Sequence, residues 1–144
     1  YCLGVQYWGK NPHVAGYKAE FGILLDMVGA RNSVFPREGY SASSAGWVQD
    51  LVWSNAATAG WSGFFSNELM PGQITDDHVY INTLTGIPTI DIIHLDRTSR
   101  SGTFGDYWHT HDDNMSIIDK TTLRAVGETL LYTIYKFDAE MKVQ

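Results

Sequence analysis

The sequence predicts an α/β fold, because apolar runs typical of buried strands alternate with segments of helical periodicity. One apolar run covers residues 20–28, and a second covers residues 87–95. In the last segment, apolar side chains recur every three or four positions between Leu123 and Phe137, as on one face of a helix. With 144 residues and no linker-like stretch, the chain is long enough for one domain with its own core.

The first predicted element is a strand at residues 20–28, which contains Asp26 near its end and is followed by Gly29. A nearly unbroken apolar run of this kind is typical of a parallel strand that is covered on both faces. Residues 31–40 contain asparagine, proline and glycine and therefore favour a loop. The strand thus delivers an acidic side chain to the start of a loop.

A helix is predicted next, because polar and apolar residues alternate there at helical spacing. Ser41 or Ser43 is expected to cap it, and the pattern extends to about Ala59. Residues 60–73 are rich in glycine, serine and aromatic side chains. We expect this stretch to be irregular.

The second half of the chain repeats the order of helix and strand. Asp76 or Asp77 is the predicted N-cap of a short helix that ends at Gly86. The apolar run at residues 87–95 is the second predicted strand, with a proline near its start, where proline is tolerated. A long polar loop over residues 96–114 follows it, and Asp119 is expected to open the final helix.

The composition excludes several classes of function. Ten basic residues stand against sixteen acidic ones, which gives a formal net charge of −6. Nucleic-acid backbones are bound by basic stripes, so no nucleic-acid partner is expected. No stretch of eighteen apolar residues is present, so no membrane span is expected. Cys2 is the single cysteine, which excludes an internal disulfide and a thiolate zinc cluster.

The clearest chemical motif is the stretch of residues 107–114, which contains His109 and His111 among aromatic and acidic side chains. A neutral imidazole is the commonest zinc ligand in proteins. The two histidines are two positions apart, so both could bind one metal ion only if the loop turns between them. A solvated polar loop with a surface histidine is an equally acceptable interpretation of this pattern.

Acidic residues supply two further candidates. Asp26 follows a run of apolar side chains, and a buried acid there needs a metal, a cation or a hydrogen-bond partner. An ordinary aspartate at the start of a loop is the alternative. Asp76 and Asp77 are adjacent, so one could cap the helix while the other faces a pocket and shares a proton with another carboxylate. A doubled cap with one solvated acid is the alternative for this pair.

Together these segments resemble the zinc exopeptidases of the M28 peptidase family, and within it the glutaminyl cyclases. The resemblance runs from about Glu20 to Phe137 and keeps the order and spacing of four motifs. It implies a three-layer α/β/α fold around a central mixed, mostly parallel sheet, of which this chain holds a part. The four motifs are Leu25-Asp26-Met27-Val28-Gly29, Asp77-His78, Gly86-Ile87-Pro88 and Trp108-His109-Thr110-His111-Asp112-Asp113-Asn114.

The resemblance also implies roles for individual residues. His109 matches the family's zinc-binding histidine. Asp26 matches an acid that binds a second zinc in the aminopeptidases and joins an acidic network around a single zinc in the cyclases. Asp76 and Trp108 are the residues that distinguish cyclases: in them this acid pairs with the one at Asp26, and the tryptophan forms a wall of the substrate pocket. Thr75 departs from the glutamine of animal cyclases.

The function implied by the resemblance is a zinc-dependent glutaminyl-peptide cyclotransferase. Such an enzyme acts on peptide or protein N-termini, converts an N-terminal glutamine to pyroglutamate and releases ammonia. The alternative is an aminopeptidase of the same family, with two zinc ions and with Asp26 as a metal ligand. A third possibility is a binding module that keeps the fold without the chemistry. The resemblance further implies a periplasmic or secreted protein.

In the family, the remaining metal-binding acids and the general base precede the position of Tyr1. A catalytic zinc needs three protein ligands and an open position, so His109 and Asp26 do not complete the site. We therefore expect residues 1–144 to be the C-terminal part of one catalytic domain and to need its N-terminal part as a partner. On their own they are expected to be inactive.

Overall fold

The structure is a computed structural model that describes residues 1–142. The α/β fold predicted from the sequence is confirmed: helices alternate with parallel strands along the chain. The elements, in order, are α1 (Leu3–Lys10), β1 (Gly22–Asp26), β2 (Phe35–Arg37), α2 (Gly39–Ser44), α3 (Gly46–Thr58), β3 (Phe65–Leu69), α4 (Asp77–Thr85), β4 (Thr89–Ile93), a 3-10 turn (Met115–Ile117) and α5 (Lys120–Met141).

The strands form two parallel pairs, β1 with β4 and β2 with β3. In the first pair the register runs from Gly22 opposite Thr89 to Asp26 opposite Ile93. Gly22 lies so close to its neighbour that a Cβ atom there would be 2.5 Å from Oγ1 of Thr89, which explains the need for glycine at this position. Because the strands are parallel, Asp26 and the residues after Ile93 leave the sheet at the same edge.

The core lies around strand β4, whose five residues are all buried. Helix α3 packs against α5 on the same core, and α1 packs against α4. The indole N–H of Trp53 donates to the carbonyl of Ser66 (2.8 Å), so the buried tryptophan leaves no polar atom without a partner. In the part of the chain that the structure describes, no helix is both long and apolar enough to cross a membrane. The main buried apolar cluster comprises Phe35, Ala45, Val48, Val52, Trp53, Ala56, Phe65, Ile90, Ile92 and Val126.

Three of the predicted helix boundaries are confirmed. Asp76 is the N-cap of α4, Gly86 ends that helix in the left-handed region with φ of 72°, and Asp119 caps α5. The two predicted strands are also present, although β1 and β4 are each two residues shorter at both ends than the apolar runs that predicted them.

The single helix predicted from Ser41 or Ser43 to about Ala59 is wrong in its start and its continuity. The chain forms two helices, α2 and α3, which are separated at Ala45 by a non-helical residue with φ of −141° and ψ of 38°. The N-cap of α2 is Glu38, whose side chain accepts hydrogen bonds from the backbone N–H groups of Tyr40 and Ser41. Glutamate is not among the residues preferred at an N-cap, so local rules pointed to the serines instead.

Two stretches expected to lack regular structure contain strands. β2 lies within residues 31–40, and β3 lies within residues 60–73. Pro36 is accommodated because β2 pairs only with β3 among the described residues, and the missing N–H is tolerated on an edge strand. Helix α1 was not predicted, and none of its residues is buried.

Candidate active site

Asp26 is the last residue of β1 and lies at the carboxyl edge of the β1–β4 pair. The chain turns directly after it, because Met27 adopts a φ of 52° in the left-handed region. Residues with a side chain seldom adopt this conformation, and such strain is concentrated at functional sites. The turn leaves Asp26 partly buried at the edge where parallel α/β sheets carry their sites.

Asp76 occupies the N-terminal end of α4. Its Oδ1 atom accepts a hydrogen bond from the backbone N–H of Asp77 (2.7 Å) and lies 3.6 Å from Sγ of Cys2, which donates to it. Asp76 is therefore the capping acid of the pair, and Asp77 is the second, partly buried acid beside it. The position also benefits from the favourable interaction of a carboxylate with a helix N-terminus.

The charges of Asp26 and Asp76 interact. Burial raises the pKa of Asp26, and the charge of Asp76 raises it further, with smaller increases from Asp113 and Asp77. The backbone N–H of Met27 acts in the opposite direction. Asp26 therefore retains a proton more readily than a solvated aspartate does, as expected where carboxylates share a site.

Trp108 and His109 lie face to face in the loop after β4. Their ring centroids are 4.0 Å apart with 19° between the planes, and the other neighbour of the indole is Phe104, 4.6 Å away. His109 has a φ of 57° and is exposed, while Trp108 is 37% exposed. The loop thus presents an accessible imidazole whose ring plane is held by an aromatic neighbour.

The loop turns between His109 and His111. The turn is held by Oγ1 of Thr110, which donates to the carbonyl of Tyr107 (2.7 Å). His111 is nevertheless exposed, and its imidazole makes no hydrogen bond within residues 1–142; only its backbone carbonyl accepts, from the amide of Asn114. The structure favours the interpretation of His111 as a solvated loop residue.

His94 and Tyr107 hold the base of this loop. Nδ1 of His94 lies 3.0 Å from the hydroxyl of Tyr107. Burial lowers the pKa of His94, and burial raises the pKa of Tyr107 to about 12, so both groups are neutral at neutral pH. The two neutral groups share one hydrogen bond, and which of them donates depends on the imidazole tautomer. This is a structural role for His94.

A buried polar cluster formed by Glu38, His78 and Asp91 was not predicted from the sequence. All three side chains are at most 1% exposed. Nε2 of His78 lies 3.3 Å from Oε2 of Glu38, and Nδ1 lies 4.0 Å from Oδ2 of Asp91. The two acids therefore approach the imidazole from its two nitrogens.

The two acids of this cluster have opposite pKa shifts. Burial opposes the ionisation of Glu38, but the neighbouring His78 and backbone N–H groups outweigh burial and lower its pKa to about 2. Burial raises the pKa of Asp91 to about 9, helped by the charges of Asp26 and Asp76. An acid inside the run Ile90-Asp91-Ile92 was a visible signal of a buried carboxyl group, whereas Glu38 had no local signal.

Among the described residues, few His, Cys, Asp and Glu side chains lie close enough together to bind one metal ion. Within residues 1–142, the one group of three ligand-type side chains within mutual coordination distance is Cys2 with Asp76 and Asp77. His109 has no such pair of ligands beside it among these residues. As a single accessible imidazole it can supply one ligand to a zinc ion, and a catalytic zinc needs two more from protein.

Comparison with known proteins decides the family. The model of peptidase family M28 matches residues 1–134. The chain belongs to this family. The match covers 134 of the 144 residues and therefore includes both the acidic edge of the sheet and the loop of His109.

The chain is also similar to individual proteins whose names are known. The chain is 51% identical to Porphyromonas gingivalis glutaminyl cyclase, with a TM-score of 0.90, over 94% of this chain and 46% of that one. It is 50% identical to a Zn-dependent exopeptidase from Parabacteroides distasonis, with a TM-score of 0.89, over 94% and 46%. A glutaminyl-peptide cyclotransferase from Boiga irregularis is 29% identical over 92% of this chain and 38% of its own length. The M28 chain thus spans less than half the length of the relatives it matches.

Proposed function

We propose that the complete protein containing this M28 chain is a zinc-dependent glutaminyl-peptide cyclotransferase. Its substrates are peptides and proteins that begin with glutamine, and its products are pyroglutamyl peptides and ammonia. The observation that carries the proposal is the likeness, over nearly the whole chain, to a bacterial glutaminyl cyclase with half of the residues identical. The presence of Asp76 and Trp108 at the two positions that distinguish cyclases from aminopeptidases supports the same conclusion.

We propose one zinc ion per complete domain, with His109 as one ligand. The chemistry of the residue fits, because an exposed imidazole stacked on Trp108 can present a nitrogen in a fixed direction. When bound, zinc supplies a Lewis acid that polarises the side-chain amide carbonyl of the glutamine. The resemblance to an exopeptidase described as Zn-dependent supports this choice of metal.

The reaction needs little more than a correct substrate conformation. The α-amine nitrogen of the glutamine bonds to its own side-chain carbonyl carbon, the bond from that carbon to the amide nitrogen breaks, and the amine proton leaves with ammonia. Because both reacting groups belong to one residue, holding the folded rotamer supplies much of the rate. Trp108, with its partly exposed indole, is proposed to pack against the alkyl part of the substrate.

Asp76 and Asp26 are proposed as the catalytic acids of this chain. Burial and the charge of Asp76 raise the pKa of Asp26, which favours a proton on this carboxyl group, and we propose that the two side chains share it. A shared proton lets the pair donate to, or accept from, the substrate as charge develops. The general base that accepts the proton of the α-amine is proposed to lie outside this chain.

We further propose that residues 1–144 form the C-terminal part of one catalytic domain, whose other part supplies the remaining zinc ligands and the general base. The matched relatives are more than twice as long, which supports this arrangement. The piece by itself is proposed to be inactive. The complete protein is proposed to act outside the cytoplasm, in the periplasm or after secretion.

An aminopeptidase with two zinc ions is the second candidate. It is favoured by the membership of a peptidase family and by the partly buried position of Asp26 at the sheet edge, where a carboxylate could bind a second metal. Metal analysis separates the two proposals: one zinc per complete domain supports the cyclase, and two support the aminopeptidase.

The deciding experiment uses the complete polypeptide in a zinc-replete buffer and a peptide that begins with glutamine. Mass spectrometry of the product should show loss of ammonia alone. A peptide of the same sequence with an acetylated N-terminus is the control, because its blocked amine cannot attack the side chain. Release of the free first residue would instead support the aminopeptidase, and zinc binding without turnover of either kind would support a binding module.

A further inference from the structure

Glu38 is the most highly connected buried acid of the structure. One carboxylate oxygen, Oε1, accepts from the backbone N–H of Tyr40 (2.7 Å) and from that of Ile74 (2.9 Å). The other, Oε2, accepts from the N–H and the hydroxyl of Ser41, both at 2.7 Å, and lies 3.3 Å from Nε2 of His78. Its side chain is 1% exposed, so each of these contacts is shielded from water.

Two of these partners flank Asp76. Ile74 precedes Asp76 by two residues, and His78 follows it by two. Ile74 belongs to the segment that leads into α4, and His78 lies in the first turn of that helix. The carboxylate of Glu38 therefore contacts the chain on both sides of the proposed catalytic acid.

The backbone around Glu38 reinforces this contact. The N–H of Met70 donates to the carbonyl of Arg37 (2.9 Å), so the segment after β3 runs along the chain before α2. A Cβ atom on Gly39 would overlap the carbonyl oxygen of Gly72, which shows how closely the two segments approach. The segment of residues 70–76 is thus docked onto residues 37–39.

Capping of α2 alone does not explain why the residue is a glutamate. Short side chains such as Asp, Ser and Asn are preferred at an N-cap because they reach the first free N–H groups of their own helix. The additional methylene of Glu38 lets the same carboxylate reach Ile74, 36 positions away, and the imidazole of His78. The longer side chain serves the contacts to the Asp76 segment.

We propose that Glu38 is a positioning residue that fixes residues 74–78 and thereby places the carboxylate of Asp76 in the candidate active site. It touches no reacting group itself. The importance of Asp76 for turnover rests on the proposed cyclase function, but the placement of Asp76 can be measured without any turnover.

Cys2 provides that measurement. Its thiol lies 3.6 Å from Oδ1 of Asp76, and no other cysteine is present in the chain. Burial raises the pKa of this thiol to about 12, with the help of Asp77 and Asp76. Because the thiolate is the reactive form, alkylation of Cys2 is slow while these carboxylates are in place and accelerates when they move away.

The experiment compares Glu38→Asp with the wild type in the complete polypeptide. Aspartate keeps the charge and the preferred cap for α2 but is one methylene too short to reach Ile74 and His78. Asn55→Ala is the matched control. Asn55 is also buried, it bonds to Thr133 (3.2 Å) and to Lys136 (3.3 Å), and within residues 1–142 none of its bonds reaches the Asp76 segment. Circular dichroism verifies that each variant is folded, and mass mapping of the peptide with Cys2 gives its alkylation rate by iodoacetamide at pH 8.

Glu38→Asp should raise the alkylation rate of Cys2 about tenfold, the effect of one pKa unit on the thiolate fraction. It should also lower kcat on a glutaminyl peptide about 10- to 100-fold, the scale expected for a misplaced catalytic group. Asn55→Ala should leave the alkylation rate at the wild-type value.

A wild-type alkylation rate in folded Glu38→Asp overturns the proposal, as does an equal rise in Asn55→Ala. If no protein, wild type included, forms pyroglutamate, the cyclase function fails while the alkylation rates still decide the role of Glu38.

Discussion

The side chain of Asn82 pairs with the backbone of Thr89 in the way that a neighbouring strand would. Oδ1 of Asn82 accepts from the N–H of Thr89 (3.1 Å), and Nδ2 donates to the carbonyl of the same residue (2.7 Å). The same amide nitrogen also donates to the carbonyl of His78 (2.8 Å). Helix α4, which begins at the proposed catalytic Asp76, is thereby fastened to the start of strand β4.

Asn82→Ala should lower the free energy of unfolding by about 2 kcal/mol, because it leaves the buried backbone N–H and carbonyl of Thr89 without partners. Thr83→Ala is the control on the same helix, since Thr83 is exposed and, among the described residues, bonds only to its own helix. Urea denaturation measures both variants. An equal, small loss of stability in the two would contradict the anchoring role of Asn82.

Asp76→Asn should reduce kcat by about 100-fold, within the range for removal of a general acid or base, and leave the fold intact. Asparagine caps helices as well as aspartate does, so the hydrogen bond to the N–H of Asp77 is retained. Asp76→Ala should lose both turnover and about 1 kcal/mol of stability, the usual value of a cap. Steady-state kinetics and thermal unfolding test the pair, and wild-type turnover by Asp76→Asn would end the cyclase assignment.

Trp108→Ala should lower kcat/KM about tenfold or more, since loss of an aromatic contact worth about 1.4 kcal/mol changes a rate constant tenfold. Trp108→Phe keeps a flat ring against His109 and should recover part of the loss. Trp47 is a suitable control because it is also half-exposed but packs on Phe21 and Phe137. Equal losses in Trp47→Ala and Trp108→Ala would remove the case for a substrate-binding wall.

Asp91→Asn should stabilise the protein at neutral and alkaline pH. The pKa of Asp91 is raised to about 9 in the folded chain, whereas that of an unfolded aspartate is about 4. Between these values the folded state binds a proton that the unfolded state has released, so stability falls as the pH rises through this range. Asparagine removes that dependence, so the advantage of the variant over the wild type should grow across this range, by up to about 1.4 kcal/mol for each pH unit. Unfolding at a series of pH values measures it; a steeper decline in the variant would contradict the assignment of a neutral Asp91.

Sequence rules succeeded where a single residue determines the local backbone. The caps formed by Asp76 and Asp119 and the left-handed end at Gly86 are each encoded within one helical turn, so composition and spacing were sufficient. The apolar runs around β1 and β4 were equally informative, because a buried strand such as β4 selects apolar side chains along its length.

The same rules failed where the partner of a residue is distant in the chain. Glu38 caps its own helix, but it also binds Ile74, and no local pattern announces a contact over 36 positions. β2 and β3 are short strands whose pairing joins segments about 30 residues apart. The neutral state of Asp91 depends on burial and on Asp26 and Asp76, all of which the fold brings together.

Strand β1 has consequences for handling this polypeptide in solution. Within residues 1–142 it pairs only with β4, and Leu25 remains 42% exposed. Among the described residues no strand pairs with the opposite edge of β1, so its N–H and carbonyl groups form a template for another strand. Parallel sheets are normally covered on both faces and contain more than two strands. Residues 1–144 produced alone should therefore associate with one another edge to edge, and light scattering should increase with protein concentration. Co-expression with the proposed N-terminal part of the domain should suppress this aggregation.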